Sequence, residues 1–394
     1  VSTTDRPAVL GGHVIRVLYA TPTDGVDRSV ELAQRIAAEA DEIDAWWRRE
    51  DSARTPRFDR YADPCGTQLD LGFLQLAHIT IGLTDNSQLF SAIADEIEDL
   101  PGASHTKYLV YYDGPATEHI CGTGGGVQDG VGLAVVFLNT CTGLGSAAHV
   151  AVHELLHSFG LARGIAPPHA CPSDPGHVCD STGDVLYTYA QPVPLSSFVL
   201  DVGRDDYYLH GSDRWDLATS PWLVRLNEQV ALTVNVTGTG TVRSDLPGLA
   251  CASGSCTTSW NPNTDVTLDA EPGEGQRFVR WGGACAGEVD CRLATVNGTV
   301  TALFAPLTYR LAVSVVGRGS VRSNPTSIYS KPLRSWSGAF TSYEPVKLVA
   351  KPVKGWRFKG WAGSARGTQL TASVPMSRNA AVRAVFVKLP AKHR

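Results

Sequence analysis

One pentapeptide in this 394-residue sequence holds the densest chemistry: His153-Glu154-Leu155-Leu156-His157. Residues four apart share one face of a helix, so both imidazoles can bind one zinc ion while Glu154, one position on, reaches a water beside it. The spacing implies hydrolysis with Zn2+ as cofactor, His153 and His157 as metal ligands and Glu154 as the catalytic general base. Ala148, Val152, Leu155 and Phe159 form an apolar stripe on the opposite face, and Gly160 ends the helix one turn after the second histidine. His149 lies one turn earlier on the metal-facing side. Three ligands in line down a helix cannot surround a tetrahedral ion, so His149 is expected behind the ligands or at the surface.

A third donor must come from elsewhere, and the segment PPHACPSDPGHVCDSTGDVLYTY (167–189) offers His169, His177 and Asp180. His177 is the first choice because it sits inside the loop that Cys171 and Cys179 would close, where a ligand keeps little conformational freedom; His169 and then Asp180 are the alternatives. Further on, VLDVGRDDYYLH gathers Asp201, Asp205 and Asp206 near two tyrosines. A calcium site is one reading of this group, but the spacing fits no loop template, and a solvated turn is the expectation. No phosphate-cradling glycine motif is present, and the run Gly124–Gly126 leads into no helix, so nucleotide chemistry is not indicated.

These residues need a frame, and the first 227 residues supply the pattern for one. His13–Ala20 reads as a strand, and Leu32, Ile36, Ala40, Ile43 and Trp47 recur at helical spacing. Leu69, Leu71 and Phe73 alternate as a strand, Phe90, Ile93, Ile97 and Leu100 stripe a second helix, and Tyr108–Tyr112 and Gly132–Asn139 read as further strands. Alternating strands and helices predict an α/β domain with a mixed sheet.

A different texture follows. LTVNVTGTGTVRS (232–244) matches LAVSVVGRGSVRS (311–323), VTLDAEPGEGQRFVRWGG (266–283) matches VKLVAKPVKGWRFKGWAG (346–363), and VTALF (300–304) matches VRAVF (382–386). The alternation and the glycine turns predict two small all-β modules of short antiparallel strands, with Phe278, Trp281, Phe358 and Trp361 as their aromatic cores. From Leu307 onward the chain has 7 Lys and 9 Arg against the single acid Glu344, a charge of +15 that leaves -20 on the rest. Such a split predicts that the basic module meets an anionic surface or polyanion. Nine cysteines point to an oxidising compartment, and their spacing favours the local pairs Cys171–Cys179, Cys251–Cys256 and Cys285–Cys291; Cys121–Cys141 with Cys65 as the odd thiol is one of several schemes open to the five front cysteines. No apolar run is long enough for a membrane span, and the opening VSTTDRPAVL lacks the basic start and apolar stretch of a signal peptide, so a soluble, processed chain is expected.

The run H-E-L-L-H-S-F-G resembles the metzincin clan of zinc endopeptidases, whose pattern is H-E-x-x-H-x-x-G-x-x-H followed by a methionine-containing turn. The resemblance implies that His153 and His157 are ligands, that Glu154 is the general base and that Gly160 turns the chain back beneath the metal. Arg163 stands where the clan has its third histidine; a guanidinium cannot ligate a cation, so Arg163 is expected to point away and the third ligand to arrive later. Asp184-Val185-Leu186-Tyr187 resembles the methionine turn with Leu186 as its apolar floor, and Thr188 stands where astacin-like members have a tyrosine ligand. Tyr187 and Tyr189 are expected in the core, with hydrogen-bond donation to a reaction oxyanion as the other role. The two repeats resemble the divergent internalin-type B repeat of secreted bacterial proteins, through their G-x-G starts and F-x-x-W-x-G ends.

The expected architecture is therefore multidomain: an α/β (α+β) zincin-like catalytic domain over 1–227, with mixed sheet and active-site helix, and all-β modules over 228–306 and 307–394. The expected function is a secreted zinc metallopeptidase acting on a protein or peptide substrate, with repeats that attach to a surface or substrate. The alternative is a non-catalytic, zinc-binding adhesion or surface-binding protein.

Overall fold

The computed structural model describes residues 6, 11–64, 66–98, 100, 106–117, 119–128, 130–140, 147–161, 167–188, 192–295, 297–324, 335–341 and 345–390. Five strands frame its N-terminal part: β1 (Val14–Pro22), β2 (Leu71–Leu76), β3 (Thr106–Tyr112), β4 (Gly122–Gly126) and β5 (Gly132–Phe137). Their order is β2-β1-β3-β5-β4, with β1 parallel to β2 and β3, β3 parallel to β5, and β4 antiparallel at the edge. Every residue of β3 is buried, as expected of a central parallel strand covered on both faces.

Helices α1 (Ser29–Glu50) and α3 (Ala148–Ser158) cover one face of the sheet, and α2 (Asn86–Glu98) covers the other. Leu32, Ile36, Ala40, Ile43 and Trp47 form the buried stripe of α1 at the spacing read from the sequence. In α2 the stripe is Leu89, Ile93 and Ile97, and Phe90 and Leu100 are only half-buried, so the inward face starts one residue earlier than expected. Ala148, Val152, Leu155 and Phe159 are fully buried along α3, and Gly160 takes a φ of 109° just after the helix ends.

Two charged side chains from other elements fasten α3 at its ends. Glu39 of α1 accepts a hydrogen bond from Ala147 N–H (3.1 Å) at the helix start. Lys107 of β3, fully buried, donates from Nζ to the carbonyl of Ser158 (2.6 Å) at the helix end, and also to Val127 (2.9 Å) and Gly130 (3.0 Å) in the β4–β5 turn. A carboxylate at the N-terminus and an ammonium at the C-terminus both complement the helix dipole.

The glycine run Gly124–Gly126, read from the sequence as leading into no helix and given no element, belongs to strand β4. A Cβ on Gly124 would stand 2.3 Å from the Glu154 carbonyl oxygen and 2.9 Å from the Cβ of His157, so the strand approaches the helix backbone more closely than any side chain allows. Alternation is invisible in a strand whose single side chain is Thr123. Gly124→Ala is expected to lower stability by about 1–3 kcal/mol through forced displacement of α3; an unchanged thermal midpoint would refute the close approach.

Each C-terminal module is a pair of stacked sheets. In the first, Gly254–Trp260, Val230–Thr237, Gly298–Pro306 and Gln276–Gly283 face a sheet of Ala250–Cys251, Gly240–Ser244, Asp265–Pro272 and Cys291–Ala294. In the second, Ser335–Thr341, Thr308–Val316, Ala380–Lys388 and Trp356–Gly363 face β6 (Gly319–Asn324), β7 (Val346–Pro352) and β8 (Thr371–Val374). The pairing is not all antiparallel as expected: in each module the last strand returns beside the first and runs parallel to it. Trp281 and Trp361 are buried and donate from Nε1 to the carbonyls of Val289 (2.7 Å) and Gln369 (2.9 Å), with half-buried Phe278 and Phe358 each 5.0 Å away.

The first module docks on the N-terminal part. Gly11 and Gly12 donate to the carbonyls of Ser259 (3.0 Å) and Pro247 (2.9 Å), and Asn261 donates to Leu223 O (2.9 Å) while accepting from Arg225 N–H (3.1 Å). Disulfides join Cys171 to Cys179, Cys251 to Cys256 and Cys285 to Cys291; Cys121 is also disulfide-bonded, and the expected partner Cys141 and odd thiol Cys65 lie outside the described residues. Among the described residues no helix is long and apolar enough to cross a membrane.

Candidate metal centre

Helix α3 presents His153 and His157 on one side, and a disulfide-closed hairpin (Ala170–Cys171 and Asp174–Val178) brings His177 to meet them. The three Nε2 atoms form a small triangle, with 3.3 Å from His153 to His157, 3.2 Å from His157 to His177 and 3.0 Å from His177 to His153. A zinc ion with Zn–N bonds of about 2.0–2.1 Å and near-tetrahedral angles would set its ligand nitrogens about 3.3–3.4 Å apart. The triangle fits such an ion to within a few tenths of an ångström.

The opposite ring nitrogens explain the orientation. Nδ1 of His153 lies 2.8 Å from the Val185 carbonyl, and Nδ1 of His157 lies 2.5 Å from the Leu161 carbonyl. A carbonyl only accepts, so each Nδ1 must carry the proton and each Nε2 turns a lone pair inward. Asp174 Oδ2 lies 3.0 Å from Nδ1 of His177, the carboxylate–histidine arrangement that steadies metal ligands. Burial lowers the pKa of His153 well below the usual imidazole value and that of His157 to about 4, so both rings are neutral near pH 7. Inward lone pairs repel one another without a cation between them.

Glu154 is buried beside this triangle, and burial pushes its carboxyl up to about 8. Room for it is made by Gly122 of β4, where a Cβ would stand 2.6 Å from Glu154 Cγ and 2.8 Å from Oε1. The histidines and Glu154 line a cleft of about 600 Å³, bordered by β4 on one side and by Tyr187 and Phe198 on the other. His149 also lines this cleft. The surface position is overturned: His149 is buried, with its ring stacked on Phe198 at 5.6 Å.

The alternative third donors lie apart. His169 and Asp180 gather with Asp205 and Asp206, and His169 Nδ1 is 3.2 Å from Asp206 Oδ2. The expectation of a solvated turn there holds for exposed Asp205 but not for buried Asp201, which accepts from the backbone N–H groups of Tyr207 (2.7 Å) and Tyr208 (2.5 Å), nor for buried Asp206, which accepts from His169 N–H (2.8 Å). Leu186 is fully buried in the turn beneath His153. That turn is held by Asp184, which accepts from Leu186 N–H (2.7 Å), Val202 N–H (2.8 Å) and the Tyr207 hydroxyl (2.8 Å), and which burial pushes up to about 6. Tyr187 borders the cleft, half-buried, where a core position was expected. Arg163 and Tyr189 lie outside the described residues. Sequence reasoning passed over Asp174, although its place three residues before His177 is a readable carboxylate–histidine spacing. The carbonyls of Val185 and Leu161 leave no such trace.

Comparison with solved structures gives loose overlaps that carry no fold assignment. The major pilin protein (T-13) of Streptococcus pyogenes serotype GAS131465 overlaps at a TM-score of 0.19 and 8% identity, covering 41% of this chain and 97% of that one. Wild-type OgpA from Akkermansia muciniphila overlaps at 0.26 and 10% identity, covering 75% and 94% of the respective chains. Catalytically inactive OgpA in complex with an O-glycopeptide (glycodrosocin) substrate overlaps at 0.27 and 10%, covering 78% and 100%. No curated protein matches the sequence. The two modules, by contrast, match the divergent InlB B-repeat domain family, over residues 230–308 and 334–390.

Proposed function

We propose that the chain is a secreted zinc-dependent endopeptidase, with His153, His157 and His177 as the metal ligands and Glu154 as the general base. The observation that carries this reading is the convergence of three Nε2 lone pairs within 3.3 Å of one another next to a buried carboxylate, inside an open cleft. Zinc held there would supply the Lewis acidity that polarises a peptide carbonyl and activates a water. A dication beside Glu154 would favour its ionised form against the cost of burial, and the carboxylate then takes the proton of the attacking water and returns it to the leaving amine. Strand β4 is an edge strand bordering the cleft, so an extended peptide can add to it by main-chain hydrogen bonds and lie across the histidines. Disulfides and repeats of this family suit an extracellular chain whose modules attach it to a surface or substrate.

Metal analysis of the purified chain together with casein cleavage tests the proposal. One zinc per chain, cleavage that stops on chelation and cleavage that returns with added zinc are the expected results. Cleavage that persists without metal would overturn the mechanism. A fully loaded chain that cleaves nothing would favour the zinc-binding adhesion protein instead.

A further inference from the structure

The two modules share one scaffold but invert the charge on one face of it. In the first module, the outward face of the sheet containing Gly240–Ser244 and Asp265–Pro272 carries Arg243, Asp269 and Glu271, with Arg243 and Glu271 3.9 Å apart, and Glu274 follows in the next turn. At the matching places the second module has Arg322, Val349, Lys351 and Lys354, and Lys347 and Arg318 replace Thr267 and Thr239. The inward residues keep their character, with Val346, Leu348 and Ala350 standing for Val266, Leu268 and Ala270. Since the same fold forms with either charge, folding does not require the cations.

Arg318, Arg322, Lys347, Lys351 and Lys354 are all exposed, and none has an ion-pair partner among the described residues; the module's single acid, Glu344, lies outside them. On β7, Lys347 and Lys351 point the same way, about 13–14 Å apart at the usual strand rise. Arg322 of the neighbouring β6 stands opposite Val349, between them. Arg318 and Lys354 extend the row at the end of the strands, where Val353 N–H donates to the Arg318 carbonyl. The floor between the cations is Ser320, Val349, Thr371 and Ser373, small and partly hydroxylated.

We infer that this face, the outward side of β6-β7-β8, is a docking surface for an extended anionic polysaccharide whose carboxylate or sulfate groups run along the row of cations. Charge complementarity and the linear spacing select a polyanion. Trp336 and Trp361 are buried and Trp356 is half-buried against the module core, and none of β6, β7 and β8 carries an aromatic side chain, so these strands offer no platform for stacking nucleic-acid bases. The valines on the row are flanked by cations and form no continuous apolar patch for a lipid surface. The inference does not depend on the peptidase reading.

The test uses the full chain on immobilised dextran sulfate and polygalacturonate, with neutral dextran as the blank. Lys347→Thr, Lys351→Glu and Lys354→Glu together restore the first module's own residues on a scaffold that accepts them. Retention of the unaltered chain on either polyanion at about 0.15 M salt, and binding at least about tenfold weaker in the triple variant, are expected. A control carrying Arg310→Glu, Arg383→Glu and Lys388→Gln makes the same net charge change on the opposite sheet and is expected to keep most of its binding. Equal loss in both variants would overturn the assignment of this face. Failure to bind either polysaccharide, or stronger competition by duplex DNA or anionic vesicles than by the free polysaccharide at equal charge, would overturn the partner.

Discussion

Glu154→Gln is expected to reduce kcat/KM for casein by at least about 10³-fold while leaving one zinc bound per chain. The amide keeps the volume of the carboxylate but cannot take a proton, and general-base assistance alone is commonly worth about 10²–10⁴ in rate. Metal content should not change, because the three imidazoles of His153, His157 and His177 converge without help from Glu154. Stability should not fall either: burial already disfavours the ionised carboxylate, with its pKa pushed up to about 8, and a neutral amide removes that cost. Rate and zinc stoichiometry, measured on the same preparation, separate this outcome from misfolding. A Glu154→Gln variant cleaving at the original rate would remove Glu154 from the mechanism.

His177→Ala should weaken zinc binding by roughly 10²-fold or more, since a three-donor site becomes a two-donor one and the Asp174 contact behind the ring is lost as well. The folded state should survive, because the hairpin remains closed by Cys171–Cys179. His169→Ala and Asp180→Asn serve as matched controls, for both residues sit in the separate cluster with Asp205 and Asp206. Competitive titration against a zinc chelator reads the affinities. If His169→Ala loses the metal and His177→Ala keeps it, the proposed ligand set is wrong.

The helix with its two histidines and carboxylate was legible because a period of 3.6 and an apolar stripe are local properties of the chain. His177 could be preferred over His169 for an equally local reason, the flanking cysteines. The sheet was legible wherever side chains alternate, and it failed at Gly122–Gly126, where the close approach to α3 has removed the side chains that carry the signal. The parallel pairing of first and last strands in each module depends on contacts about 65–70 residues apart in the sequence, which no short-range pattern records. The contact of His149 with Phe198, almost fifty residues further along the chain, leaves no local trace in the sequence. Charge was read correctly as a sum but not as a face; only the register of β6 and β7 turns the excess of lysine and arginine into a row.

The fastening of α3 by Glu39 and Lys107 bears on how the proposed centre would be loaded. Both clamps come from the framework of α1 and β3 and neither uses the imidazoles, so the helix that carries His153 and His157 is positioned by the fold. On the proposed reading, a helix held in this way would lose little ordering entropy on metal capture, which would favour rapid uptake and let emptying and refilling proceed without passage through an unfolded chain.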